Sequence, residues 1–186
     1  MSAAAVPGVV LRDAADSDVA AIAAIYAHHV RFGLGSFEEE APSLEDIAQR
    51  RAAVVARSLP FIVAAIGGRV VGYAYANPYR PRSAYRYALE DSIYVAADCT
   101  RRGIGRALLA RLIDICAAQN YRQLVAVIGD SANTASIKLH EELGFARIGV
   151  LPAIGFKHGR WVDSVLMQRP LGQGAMTLAA PRTESA

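Results

Sequence analysis

Cysteine is scarce in this chain, with two among 186 residues, Cys99 and Cys116. Their spacing matches neither a disulfide framework nor a metal-ligand set, which excludes a stapled secreted fold and a zinc site and fits a reducing compartment. Long apolar runs are also missing. Stretches such as "VAAIAAIYA" at 19–27 stop well short of the roughly 18 residues a membrane span needs. The opening "MSAAAVPGVVLRD" sets its first arginine after the apolar residues, the wrong order for a secretory signal, so the chain reads as cytoplasmic. Charge of one sign is in small excess only: 20 Lys and Arg against 17 Asp and Glu give net +3. Basic residues cluster as Arg80, Arg82 and Arg86, and again as Arg101, Arg102 and Arg106, yet no aromatic-rich nucleic-acid module accompanies them. Neither nucleic acid nor membrane is an expected partner, and small anionic ligands fit better.

What is present is a regular alternation of short elements. "VVLRDA" reads as a strand and "DSDVAAIAAIYAHHV" as a helix capped by Asp16 or Ser17. "SLEDIAQRRAAVVARS" is a second helix with Ser43 at its cap. Two β-branched and aromatic runs split by Gly67-Gly68 make a hairpin, and "RYALEDSIYV" a further strand. A helix over 103–118, strand "QLVAVI", helix "TASIKLHEEL" and a closing strand pair, "FARIGVL" and "RWVDSVLMQR", complete the order. Hairpins mixed with two strand-to-helix crossovers predict one α/β domain over 8–170. Its core is a mixed, mostly antiparallel twisted sheet flanked by helices on both faces. The tail 171–186 lacks periodicity and is expected to be disordered.

The segment "TRRGIGRALLARLIDI", 100–115, crowds arginines and glycines against the start of a helix. Ile104, Leu108, Leu109, Leu112, Ile113, Ile115 and Cys116 fall on one wide arc, with Arg106, Arg111 and Asp114 opposite. That arc must pack on the sheet, which fixes the helix start and leaves the amides of 101–106 free for an anion, with glycines permitting close approach. A Walker loop is excluded because Ile and Arg follow Gly103 and Gly105 where Lys and Ser or Thr are required. A dinucleotide fingerprint is excluded because Leu108 stands where its third glycine belongs. Arg-Arg-Gly-Ile-Gly-Arg between strand and helix resembles the pyrophosphate loop of the GNAT superfamily of N-acetyltransferases. Thr100 replaces the Gln or Arg that usually opens that pattern.

"EDSIYV", "VIGDSANTASIKLHEELGF" and "GFKHGRWVDSVLMQR" occur in order around this loop. They resemble the phosphinothricin acetyltransferase family, which acetylates the α-amino group of glutamate-like or methionine-derived amino acids, among them a herbicide. The resemblance implies acetyl-CoA as co-substrate, no metal, and direct attack of the amine in a ternary complex. It implies that Ile93, Tyr94 and Val95 run beside the pantetheine arm, that Arg101, Arg102, Gly103, Ile104, Gly105 and Arg106 hold the pyrophosphate, and that Asn133 bonds the pantetheine portion. By position alone, Asn133 reads as a helix cap.

The reaction needs a neutral amine, and an α-amino group of pKa about 7.7–8.0 is mostly protonated at neutral pH, so a base is useful. Glu90, in an otherwise apolar strand, is the candidate; Asp91 points to the opposite face of a regular strand and is the weaker one. His140, in "KLHEELGF", matches the family position that protonates the departing thiolate, as acid or as orienting group. A backbone amide near Tyr94 and Val95 is expected to polarise the carbonyl. Cys99 lies near the loop but shows no paired base for a covalent route. Guanidinium forks suit the oxygen-rich ends of such a substrate. Arg80 and Arg82 are candidates on that ground, and the resemblance implies that Ser83, Ala84, Tyr85 and Glu90 border the substrate with them. The resemblance also implies a homodimer in which the connection Lys157 to Trp161 lies near the partner's pocket. Acetylation of a protein amino terminus or lysine, and non-catalytic sensing of acyl-CoA, stay open as alternatives.

Overall fold

A computed structural model describes residues 6–179. The elements follow the expected order: β1 Val9–Asp13, α1 Val19–Phe32, α2 Leu44–Ala56, β2 Phe61–Ile66, β3 Arg69–Pro78 and β4 Ala88–Val95. Then come α3 Ile104–Ala118, β5 Gln123–Gly129, α4 Thr134–Glu142, β6 Ala146–Lys157 and β7 Arg160–Pro170. The seven strands form one sheet in the order β1-β2-β3-β4-β5-β7-β6. Only β4 and β5 pair in parallel; the other neighbours are antiparallel.

Alternation along the strands sends side chains to two layers. Gly72 of β3 lies against Leu108 and Ile104 of α3. Its neighbour Tyr73 faces the other way, stacking with Phe61 and Tyr94, and Tyr94 meets Tyr26 of α1 edge-on. Thus α1 packs on one face and α3 on the other. The wide apolar arc of α3 is buried as expected, with Ile104, Leu108, Leu109, Leu112, Ile113 and Cys116 in the core and Arg106, Arg111 and Asp114 exposed. Each large apolar side chain buried this way contributes about 1.5–3 kcal/mol.

Local chemistry sets the boundaries. Ser43 caps α2 by accepting from the Asp46 amide while Asp46 accepts from the Ser43 amide, a reciprocal box. The start of α1 differs from expectation: residues 16–18 form a short 3-10 turn, and neither Asp16 nor Ser17 caps the helix. Asp18 is drawn away by the Arg12 guanidinium at 2.6 Å and accepts from the Ala15 amide, so the helix begins one turn later. β6 is longer than expected. Two bulges, between Arg147 and Gly149 and between Leu151 and Gly155, carry its pairing on to Lys157. His158 and Gly159, both at positive φ, then make the two-residue turn into β7. After β7, Leu171 is buried and Arg122 holds Gly174 O, Thr177 and Leu178 O. The remainder of the expected loose tail, 180–186, lies outside the described residues, as do residues 1–5 of the leader. No helix among the described residues is long and apolar enough to cross a membrane.

Candidate active site

β4 and β5 pair only from Ala88 with Gln123 to Glu90 with Val125. Beyond that point β4 continues along β3 alone and β5 along β7 alone. The two strands part, and a cavity of about 860 Å³ opens between them, lined by residues 91–95 on one side and 126–129 on the other. Backbone edges that a continuous sheet would consume are here left for a ligand.

One end of the opening is the glycine loop. Thr100, Arg101, Gly103, Ile104, Gly105 and Arg106 line it, and Arg102 does not. Gly103 sits at φ 80° as the residue before α3, a conformation that favours glycine. The first amide of α3 with a carbonyl partner is Ala107, on Gly103 O, which leaves the N–H groups at the very start of the helix, from Ile104 to Arg106, for an outside acceptor. Arg102 donates to the Cys99 sulfur at 3.9 Å, while Arg106 pairs with Glu142 of α4 at 3.2 Å. Arginines placed around amides at the positive end of a helix have the chemistry to hold an anion.

The two carboxyls of β4 face opposite layers. Glu90 is half-buried, lines the cavity, and has no hydrogen bond or ion pair among the described residues. Burial pushes its carboxyl above the usual range, Arg80 pulls it down, and Asp91 pushes it further up. The Arg86 salt bridge that an exposed strand edge would make is absent, because Arg86 donates to Ser83 O. Asp91 points to the layer of α3 and α4, where its Oδ1 meets His140 Nε2 at 3.1 Å. The sequence ranked Asp91 low for pointing to the far face. That orientation is correct, but the parted strands expose both faces to one cavity, and Asp91 and His140 both line it.

His140 is buried rather than on a helix surface. Its Nδ1 donates to Ser136 O at 2.7 Å, one turn back in α4, and its ring stands edge-on to Phe145. Burial alone would pull its pKa down, but the Asp91 hydrogen bond and charge, with the Ser136 carbonyl, outweigh this and the net direction is up. Burial dominates Asp91 and raises it despite the opposing pull of His140. Both directions mean that the pair holds its shared proton tightly.

Asn133 caps α4, its Oδ1 accepting from the Ser136 amide at 3.2 Å, and it lines the cavity with its Nδ2 still unspent. Ile93, Tyr94 and Val95 line it too, but the Val95 carbonyl is already taken by His29 Nε2 at 2.9 Å. Burial holds His29 below its usual pKa, so it is the neutral donor there.

The expected substrate border is only partly assembled. Arg80, Arg82, Ser83, Ala84 and Tyr85 stand on an exposed loop outside the cavity wall, and only the charge of Arg80 reaches Glu90. The wall on that side is a strap, residues 34–38 between α1 and α2, to which the sequence assigned no role. Leu34 O rests directly on Gly129, and Ser36 O accepts from the buried Lys157 at 2.6 Å. The Phe37 ring covers Gly155, and Glu38 is held by Tyr26 at 2.7 Å and Arg50 at 2.6 Å. The available signal was a pair of glycines inside strands, which often mark a close backbone approach.

A model of the acetyltransferase (GNAT) family matches residues 16–145. Phosphinothricin N-acetyltransferase of Alcaligenes faecalis is 55% identical over 163 residues, covering 88% of this chain and 83% of the relative. An L-methionine sulfoximine/L-methionine sulfone acetyltransferase of Pseudomonas paraeruginosa is 40% identical, covering 85% and 92%. Among solved structures, the complex of a GNAT superfamily phosphinothricin acetyltransferase from Sinorhizobium meliloti with AcCoA superposes with a TM-score of 0.90. It shares 44% identity and covers 93% of this chain and 94% of that one.

Proposed function

This chain belongs to the acetyltransferase (GNAT) family, and from that premise we propose that it moves the acetyl group of acetyl-CoA onto the α-amino nitrogen of a small amino-acid analogue. Phosphinothricin, methionine sulfoximine and methionine sulfone are the acceptor types, which makes inactivation of a herbicide one consequence. The observation that carries this reading is the opening between β4 and β5, with free loop amides at one end, Glu90 on one face and the Asp91–His140 pair on the other.

The pyrophosphate rests on the amides of residues 101–106, helped by Arg101 and Arg106, and the pantetheine arm runs along 93–95 with the Asn133 amide as a donor. The acceptor enters from the layer of α1, beside Glu90 and under the strap. Glu90 takes the proton of the amine, directly or through a water, and the nitrogen attacks the thioester carbon. As the carbon–sulfur bond breaks, its electron pair stays on sulfur, which receives a proton from the His140 ring. Fixed amides near Tyr94 stabilise the oxyanion. Deprotonation and thiolate protonation are thereby separated by the strand itself. Loop 79–87 supplies Arg80, Arg82, Ser83, Ala84 and Tyr85 to the acceptor if it folds inward on binding.

A second copy of the chain belongs to the same reading. The edge strand β6 exposes Ile148, Ile154 and Phe156, and the start of β7 beside it exposes Trp161 at 67%. An apolar edge of that kind calls for a partner, and its test is the sedimenting mass against 19.8 kDa for one chain. A single domain over 8–170 and a cytoplasmic location complete the proposal, the latter supported by two free buried cysteines.

The test is release of coenzyme A thiol from acetyl-CoA with L-phosphinothricin, L-methionine sulfoximine, L-methionine sulfone and a peptide amino terminus. Saturable release with at least one of the amino-acid analogues, and little with the peptide, is expected. Binding of acetyl-CoA with no release on any of the four leaves a sensor and overturns the reading.

A further inference from the structure

We infer that Asp91 is a positioning residue for acetyl transfer: it acts through His140, keeping that ring doubly protonated and aimed, so that the cavity holds a stored proton for the departing sulfur. This rests on the acetyl-transfer reading above. The geometry fixes the proton count. His140 Nδ1 faces only a carbonyl, Ser136 O at 2.7 Å, so that nitrogen carries hydrogen. Its Nε2 faces a carboxylate oxygen at 3.1 Å, so a second hydrogen lies between them. The Nδ1 hydrogen is spent on the backbone, which makes the Nε2 hydrogen the transferable one. In the reaction the Nε2–H bond breaks and an S–H bond forms with the electron pair left by the carbon–sulfur cleavage. Solvent restores the ring's proton between turnovers.

Stability gives no reason to keep Asp91. Its side chain is 4% exposed, and its Oδ2 has no hydrogen-bond partner. A buried carboxylate with one bare oxygen costs free energy, and the stranded charge that makes removal of one partner of a buried pair costly does not persist here, because the ring releases its proton when Asp91 is an amide. The other titratable groups that face the pair are few. Cys116 of α3 lies on the same side, its thiol pushed up to about 12 by burial and by Asp91, so it stays neutral. Glu90 of β4 is adjacent in sequence but on the opposite face. Among the described residues, Asp91 is therefore the anion that offsets the burial of an imidazolium here.

Removing that charge lets burial dominate, and the His140 ring becomes neutral. The active form of the ring is the protonated one, so turnover falls as pH rises through its pKa. A lower pKa moves that alkaline limb to lower pH. In Asp91→Asn, kcat at pH 8 is expected to drop about a hundredfold, the loss typical of a misplaced acid. KM for acetyl-CoA changes less than threefold and Tm stays level or rises. Ring-nitrogen NMR of the free protein at pH 7 is expected to show His140 doubly protonated in the wild type and singly protonated in Asp91→Asn. Asp91→Glu, which retains the charge, restores part of the limb.

Three results overturn the inference: a singly protonated His140 in the wild type, an unmoved alkaline limb in Asp91→Asn, or a fall in Tm that tracks the loss of turnover. If no amine supports turnover, the acetyl-transfer reading fails, while the NMR comparison still decides whether Asp91 governs the ring.

Discussion

Replacing Glu90 with glutamine lowers kcat/KM for the amino-acid acceptor by roughly two to four orders of magnitude, the range of general acid–base catalysis, and leaves the fold intact. Glutamine has the same shape, and the carboxylate it replaces has no hydrogen bond or ion pair that could collapse. The pH profile is the sharper readout. In the proposed role Glu90 acts as a carboxylate, so the rate is expected to rise with pH through its pKa, which burial sets above the usual carboxylate range. The acidic limb of the wild type therefore lies above that range, and Glu90→Gln flattens it. The measurement is kcat/KM against pH at saturating acetyl-CoA. An unchanged limb in the variant assigns the base elsewhere.

Gly129→Ala is expected to cost the second largest amount, through the strap. A Cβ at this position overlaps the Leu34 carbonyl oxygen, which is backbone and cannot rotate aside. Either β5 or residues 34–38 must shift. β5 is paired to β7 from Gln123 to Gly129, whereas the strap is irregular, so the strap yields. Overpacking of this kind typically costs 1–3 kcal/mol in stability, and a displacement near 1 Å at a site that orients a substrate costs about a hundredfold in rate. The loss should fall on kcat/KM for the acceptor while the Kd of acetyl-CoA changes little, because the proposed reading seats the acceptor under the strap. Equal losses for both substrates, or none, dissociate the strap from acceptor binding. The pair of measurements is titration calorimetry with acetyl-CoA and initial rates with L-phosphinothricin.

Much of this architecture was legible because it rests on local rules. Alternating β-branched residues around Gly67-Gly68, the apolar arc from Ile104 to Cys116 and the cap at Ser43 each state their element within a dozen residues, and each is found. The glycine loop was legible for the same reason. Its shape is a property of one helix start, so residues 101–106 suffice to describe it. What stayed hidden depends on distant partners. The start of α1 moves past the expected caps Asp16 and Ser17 to a turn that Arg12 pins at Asp18, and β6 is prolonged by two bulges that only its pairing with β7 defines. Asp91 illustrates the point most clearly. Alternation along β4 gave its direction correctly, but where a regular sheet would hide that face in the core, the separation of β4 from β5 turns it into a cavity wall. The strap is hidden for a related reason: its anchors Gly129, Gly155 and Lys157 lie about a hundred or more residues away in sequence, and no local pattern links them to residues 34–38.

The most direct test is the crystal structure of the protein with coenzyme A and L-phosphinothricin bound together. Two reactants brought together through one gap in the sheet should lie with the amino nitrogen on the Glu90 face of β4 and the sulfur beside Asp91 and His140, with the pyrophosphate on the amides of 101–106. A sulfur and an amine both on the same face, or a coenzyme that bypasses the gap between residues 91–95 and 126–129, rules out a proton path divided by the strand.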